Sequence, residues 1–367
     1  MRSMEIDRRR FLMLASVFGI LPSTLMAAST EALYLAARKK LGRFEAVLFD
    51  EHGHDRVIVP MPDRGHSFAI DAARGRAVVF GRQPGFFAVS FDLAGKETPQ
   101  ALQAAPERHF FGHGVYSPDG KLMVSTENDY EAGRGVLGIY DAGATGGYRR
   151  IGEFPTAGIG PHEVVLMPDG RTLCVANGGI LTHPDYGKLE LNADTMRPSL
   201  AYVDLHTGDL LEQVFLAPQL HRLSIRHLVV DAAGSVWFGC QYTGATLDSP
   251  PLVGRHRRGA EPELFTGPAD TLRSMKNYVG SLACDASGTL IAASSPLGGI
   301  IVFWDALTGK CLGSTEMFDG CGVAAFGNSF VASSGQGVLA QVQPGYAGKQ
   351  TPISLADVAW DNHLRRI

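Results

Sequence analysis

The chain has 367 residues, 45% of them hydrophobic and 19% charged, with a formal net charge of −4. That composition supports a well-cored globular chain and excludes a disordered one. No basic stripe accompanies the slightly acidic balance, so nucleic acid is not an expected partner.

Residues 1–28 read as an export signal. Asp7-Arg8-Arg9-Arg10-Phe11-Leu12 precedes the apolar run Leu14–Met26 and the small residues Ala27-Ala28-Ser29. A charged start, an apolar middle and a small-residue exit describe a cleavable secretory signal. The Arg8-Arg9 pair followed by Phe11-Leu12 resembles the twin-arginine motif, so a periplasmic location is expected. The apolar run is short for a membrane span. The mature chain, residues 29–367, is therefore expected to have no span and to form one domain.

Next come Tyr34–Ala37, Phe44–Phe49 and Arg56–Pro60, which read as second, third and fourth strands of a sheet lacking its first. From residue 65 onward a unit repeats. An apolar strand starts just after His or a similar small or polar residue and runs into a Pro/Asp/Gly turn. Gly112-His113-Gly-Val-Tyr-Ser-Pro-Asp-Gly120, Pro161-His162-Glu-Val-Val-Leu-Met-Pro-Asp-Gly170 and Arg226-His227-Leu-Val-Val-Asp-Ala-Ala-Gly234 are the clearest copies. Looser ones begin at Gly65-His66, Gly280-Ser281 and Cys321-Gly322. The third strand of a unit ends in Asp before a Gly turn, as in Ser90-Phe91-Asp92-Leu-Ala-Gly95 and Phe303-Trp304-Asp305-Ala-Leu-Thr-Gly309. Asp there folds onto the turn backbone and Gly supplies positive φ. Four short strands per unit, recurring about every 40–65 residues, define a β-propeller. The tail Asp361-Asn362-His363-Leu364 echoes His227-Leu228. It is expected to supply the missing inner strand of the first sheet, closing an all-β, seven-bladed ring and hiding two sheet edges.

Inner strands lie beside the axis and begin at one face. His66, His113, His162, His227 and His363 are thus expected to meet at one entrance, with Ser281 and Cys321 at the other two blades. Imidazoles so gathered suit Fe, Cu, Zn or Mn. The five are the candidate metal ligands, although each could instead be a hydrogen-bonded structural residue. Glu127, Asp129, Asn177 and Gln241 lie near the loops between second and third strands and are candidate cofactor-binding residues. Imidazole ligands must be neutral, so metal release is expected as pH falls below ~6. A long insertion from Asn177 to Pro198 in the fourth blade is either a functional loop or a cover for the channel mouth. The five cysteines form no C-x-x-C or C-x-x-C-H, so a thioredoxin-like site and covalent haem are not expected. Phosphate-loop, dinucleotide and G-x-S-x-G signatures are absent, and no nucleotide is expected. The basic cluster Arg255–Arg258 reads as a solvated strand end.

Phe111-Gly-His-Gly-Val-Tyr-Ser-Pro-Asp-Gly120, Ser125-Thr-Glu-Asn-Asp-Tyr-Glu131, Gly158-Ile-Gly-Pro-His-Glu163, Val175-Ala-Asn-Gly-Gly179, Ser224-Ile-Arg-His227, Gly239-Cys-Gln-Tyr242 and Trp360-Asp-Asn-His363 resemble the DUF1513 family of exported bacterial proteins. The likeness spans almost the whole mature chain. It implies a periplasmic propeller with a role in metal acquisition, iron foremost, while copper is a second metal that the imidazoles suit. It also implies imelysin-like and di-haem-oxidase-like proteins as partners, and it transfers no activity. Three readings stand. The first is an accessory protein binding a metal ion or chelate. The second is a metal-dependent oxidoreductase or hydrolase with Glu127 or Glu163 as base. The third is a metal-free docking scaffold.

Overall fold

The computed structural model describes residues 31–143, 147–187, 189–345 and 352–367. The expected export signal lies outside them. The described chain forms seven four-stranded antiparallel sheets, each built from consecutive strands except the first. Blade 1 pairs Leu33–Lys40, Arg43–Asp50 and Asp55–Pro60 with the C-terminal strand Val358–Arg366 as its inner edge. The tail closes the ring, as the echo of His227-Leu228 in the sequence implies. Tyr34 faces Arg366 and Lys40 faces Val358 along that junction.

The inner strands of blades 2 to 7 are Gly65–Asp71, Arg108–Tyr116, Pro161–Leu166, Leu223–Val230, Ser281–Cys284 and Gly320–Phe326. The sequence motifs do the local work expected of them. Asp92, Asp204 and Asp305 each accept backbone N–H groups of the following turn. Gly95, Gly208 and Gly309, at φ of 67°, 76° and 72°, take the left-handed conformation that costs other residues about 1 kcal/mol or more. The core lies between blades, where Trp237, Trp304, Tyr202 and Phe238 are fully buried in one cluster spanning blades 4 to 6.

Two details differ from the sequence reading. Histidines expected just ahead of the inner strands lie within them. In six of the seven blades the pairing of inner and second strand slips at this point: at Gly65/Phe68, Phe110/Gly114, Pro161/Glu163, Ile225/His227 and Gly320/Val323, and in blade 1 between Trp360 and Leu364. Such bulges leave residues unpaired and re-aim their side chains. They interrupt the apolar alternation by which a strand is read, which is why the third blade's inner strand begins at Arg108 and not at Val115. The basic cluster is also less solvated than expected. His256 is buried, bonded to the Tyr202 hydroxyl at 2.7 Å and the Ala260 carbonyl at 2.9 Å.

The insertion after Asn177 folds over the channel mouth. Thr182 is held by Asn128 Nδ2, which donates to its carbonyl at 3.2 Å, and by Gln83 Nε2, which donates to its hydroxyl at 3.2 Å. Blades 2, 3 and 4 are thus tied across the entrance. No helix among the described residues is long and apolar enough to cross a membrane.

Candidate metal centre

The bulges of five successive blades, 1 to 5, turn His363, His66, His113, His162 and His227 toward one another. All five are buried. Ring centroids are 4.5 Å apart for His66 and His363, 4.6 Å for His113 and His363, 5.0 Å for His113 and His162, and 4.8 Å for His162 and His227. One ring nitrogen from each of His66, His113 and His363 lies within 4.8 Å of the other two, and the same holds for His113, His162 and His227. His113 belongs to both triads. The close approach needs a glycine beside it. A Cβ on Gly112, which sits at φ 107°, would stand 2.5 Å from His66 Cδ2.

Partners on the outer ring nitrogens fix the tautomers of His162 and His66. His162 Nδ1 lies 3.1 Å from the Arg226 carbonyl, which can only accept, so Nδ1–H donates and Nε2 keeps its lone pair. His66 Nδ1 donates to Asp361 at 3.2 Å. His113 Nδ1 and His227 Nδ1 face the two oxygens of Glu163 at 3.4 and 3.5 Å, ion-pair spacing longer than a good hydrogen bond. A carboxylate or carbonyl behind four of the five imidazoles is the outer shell that orients histidine ligands of metals. On the inner side, Nε2 of His113, His227 and His363 is buried without a hydrogen-bond partner among the described residues. A buried polar atom left unpaired costs about 1–3 kcal/mol, and each triad contains two imidazoles in that state, His113 and His363 in one and His113 and His227 in the other, so a metal ion fits as the missing partner.

The two carboxylates are held by arginines. Glu163 bonds Arg365, and Asp361 bonds Arg64 and, at 3.1 Å, Arg82. Burial opposes ionisation of both, yet the cations and imidazoles around them keep both well below the usual carboxylate range. Burial also dominates at the imidazoles, against the pull of those carboxylates. It pushes His66 down to about 3 and His227 to about 4, lowers His113, and takes His162 and His363 well below 6.5. At neutral pH the cluster is an uncharged set of nitrogen donors, a set suited to Zn, Cu, Fe or Ni.

Two consequences follow for pH. Burial lowers all five imidazoles, so protons compete less than at an ordinary histidine, and metal release should set in at a pH lower than ~6. The metal-free fold is also acid-sensitive. Native imidazole pKa values lie below the unfolded value of about 6.5, so the unfolded chain takes up protons that the native chain refuses. Stability present above pH ~6.5 is then lost as pH falls toward the native values, at about 1.4 kcal/mol per pH unit for each such histidine. The metal-free protein should melt roughly 10 °C lower at pH 5 than at pH 7, and loading with zinc should shrink that difference. Equal melting temperatures at the two pH values in the metal-free protein would contradict a neutral buried cluster.

The other candidates are placed differently. Gln241 lines the cavity above the imidazoles, with its amide donating to the Val279 carbonyl at 3.1 Å. Glu127, Asp129 and Asn177 are not brought to the cluster. Glu127 is fully buried inside blade 3, bonded by Ser125, Tyr140 and Arg150. Asp129 pairs with Arg134 and Arg108. Asn177 donates to Thr156 and Ser199 at the start of the insertion. Side chains at the ends of second strands turn into the blade as readily as toward the axis, and a one-residue change of phase decides which. Ser281 and Cys321 are buried in their own blades, and Cys321 Sγ contacts the Asp319 carbonyl. The residues that sequence reasoning did not place in the site are Asp361, Arg365, Arg64 and Arg226. The first two lie within or beside the tail motif already singled out.

Fold and site together define a seven-bladed β-propeller with a buried axial histidine cluster able to hold a metal ion. Residues 59–367 match the family described as "Protein of unknown function (DUF1513)", and the chain belongs to that family. No curated protein matches the sequence. Among solved structures, the chain is similar to Kuenenia stuttgartiensis hydrazine synthase, at 14% identity and a TM-score of 0.61 over 87% of this chain and 91% of that one. It is also similar to the Cps50 (Swd1) β-propeller domain of Myceliophteria thermophila, at 10% identity and a TM-score of 0.59 over 84% and 94%. At such identities the likeness is one of fold alone.

Proposed function

We propose that this protein is an exported periplasmic propeller of metal acquisition that binds a metal ion or small chelate at the axial histidines. Iron is the metal favoured by the family resemblance, with copper second. The reading is carried by one observation: five buried imidazoles from five blades converge in two overlapping triads, with a carboxylate or carbonyl facing the outer nitrogens of His66, His113, His162 and His227 and with Nε2 of His113, His227 and His363 unpaired. A docking scaffold would not need that arrangement, because unpaired buried nitrogens only destabilise it. An enzyme using Glu163 as base draws no support from the geometry. That carboxylate is engaged by Arg365 and two imidazoles and held strongly acidic, and a base is effective when its pKa lies near the working pH. Export through a twin-arginine signal would carry the protein already folded, which suits a metal loaded beforehand without requiring one. Imelysin-like and di-haem-oxidase-like proteins are the partners this role suggests.

Elemental analysis of protein isolated from the periplasm without a histidine tag is the direct test. About one metal per chain is expected, lost when His113, His162 and His227 are replaced together. Metal-free native protein that also takes up no Fe(II), Cu(II) or Zn(II) on titration would overturn the reading.

A further inference from the structure

The cavity above the imidazoles contains a guanidinium that no carboxylate pairs. It has a volume of about 280 Å³ and is lined by His66, His162, His227, Arg226, Gln241 and Tyr278 among others. On the scale of about 30 Å³ per water it holds on the order of nine waters, enough for a small ligand and too little for a bulky chelate. Glu163 is neutralised by Arg365, and Asp361 by Arg64 and Arg82. Arg226 has no such counterpart. It occupies the bulge between Ile225 and His227, and among the described residues no hydrogen bond or ion pair reaches its guanidinium. Its Nε is enclosed without a partner. Glu190 of the covering insertion also lines the cavity and makes no ion pair with it. Elsewhere in the chain an enclosed guanidinium is saturated. Arg38 is forked onto Asp55 at 2.7 Å on both nitrogens and bonded to Glu45.

An arginine stays protonated, and a half-buried guanidinium that faces a cavity with no protein partner is completed by an anion from solution. A metal ion on neutral imidazoles keeps its whole positive charge beside this guanidinium. The two cations share one cavity favourably only if an anion lies between them. Guanidinium is the donor that matches a planar carboxylate or carbonate through two parallel N–H···O bonds. An oxygen on the far side of such an anion remains available to a metal, and Gln241 and Tyr278 supply polar groups along the wall. Resting on the metal-binding reading above, we infer that the cavity is an anion site: Arg226 binds a small carboxylate or carbonate together with the metal, and each raises the affinity of the other.

The test is zinc binding at buffered free zinc in carbonate-free medium, with and without bicarbonate or oxalate, for the wild-type chain and Arg226→Met. Either anion should raise zinc affinity at least tenfold in the wild type. By linkage, zinc should raise anion affinity by the same factor. Arg226→Met should lose that enhancement and bind zinc alone as tightly as the wild type or more tightly. Its melting temperature should be unchanged or higher, because the variant removes a charge that no protein group pairs and an enclosed Nε without a partner. An enhancement equal in both proteins, none in the wild type, or a marked loss of stability in the variant would overturn the anion site. A wild type that binds no zinc would sink the metal reading alone. The anion site is then tested by calorimetric titration of the metal-free chain with oxalate: binding abolished by Arg226→Met supports it, and absence of binding overturns it. A bicarbonate response without an oxalate response assigns carbonate, and the reverse a dicarboxylate.

Discussion

Deletion of residues 358–367 is expected to leave no cooperatively folded protein. Nine of these ten residues, Val358–Arg366, form the inner strand of blade 1, the place in the ring where the two ends of the described chain meet. Trp360 and Leu364 are each only 2% exposed and pack with Phe49, Ala36 and Val331. Emptying such positions costs about 3–5 kcal/mol for Trp and 2–5 for Leu, against a total stability of about 5–15 kcal/mol. The loss does not stop at packing. Leu33–Lys40 would become an uncovered inner edge, and the blade 7 strand that closes on Leu364 at Gly322 would lose its neighbour. Arg64, Arg82 and His66 would lose Asp361, and Glu163 would lose Arg365. Circular dichroism and thermal melting should show loss of the cooperative transition. A circular permutant separates this cause from simple shortening. The Ile367 amide donates to the Leu33 carbonyl at 3.0 Å, so a short turn joining residue 367 to residue 33, with new ends between Ser354 and Leu355, should restore the transition. A truncated chain that melts within a few degrees of the full one would show that the ring does not depend on this strand.

The propeller was readable because its local rules recur. The Pro/Asp/Gly turns and the Asp-to-Gly third-strand endings set the strand count, and the His363-Leu364 echo of His227-Leu228 disclosed the closing strand. The five histidines were readable for the same reason, since equivalent positions in a ring share one environment. What the repeat hid was the bulge. Residues bowed out of the ladder at Phe111–His113 and Asp361–His363 belong to strands without following their alternation, so the inner strands were read as starting late. Glu127 and Asp129 look much like Glu163 in sequence, as carboxylates beside a strand of a repeat unit. They differ in phase relative to the sheet, which turns Glu163 to the axis and Glu127 to Tyr140 and Arg150. Arg226 carries no sequence mark beyond its place before His227. Its importance lies in having no partner, and a missing contact is visible only when the neighbours are in place.

Among single substitutions within the cluster, His113→Ala is expected to weaken metal binding most. Its ring lies 5.1 Å from His66, 5.0 Å from His162, 6.3 Å from His227 and 4.6 Å from His363, so it touches every other member. It is common to both triads whose nitrogens converge. Replacing His66 or His363 leaves the set His113, His162 and His227 intact, and replacing His162 or His227 leaves His66, His113 and His363. Replacing His113 breaks both. Zinc affinity, measured by competition with a chromogenic chelator, should fall at least 100-fold for His113→Ala, about 2.7 kcal/mol, and about tenfold or less for His66→Ala and His162→Ala. Unfolding does not mimic this result. His113 Nε2 has no partner to strand when the ring is removed, and Glu163 keeps Arg365 and His227. The metal-free variant should therefore still melt cooperatively, and His113→Gln, which refills part of the space, should bind zinc as weakly as His113→Ala. Equal losses for His113→Ala and His66→Ala would mean that one ion draws on all five imidazoles at once. Zinc affinity indifferent to both would place the metal, if one binds, away from the axis.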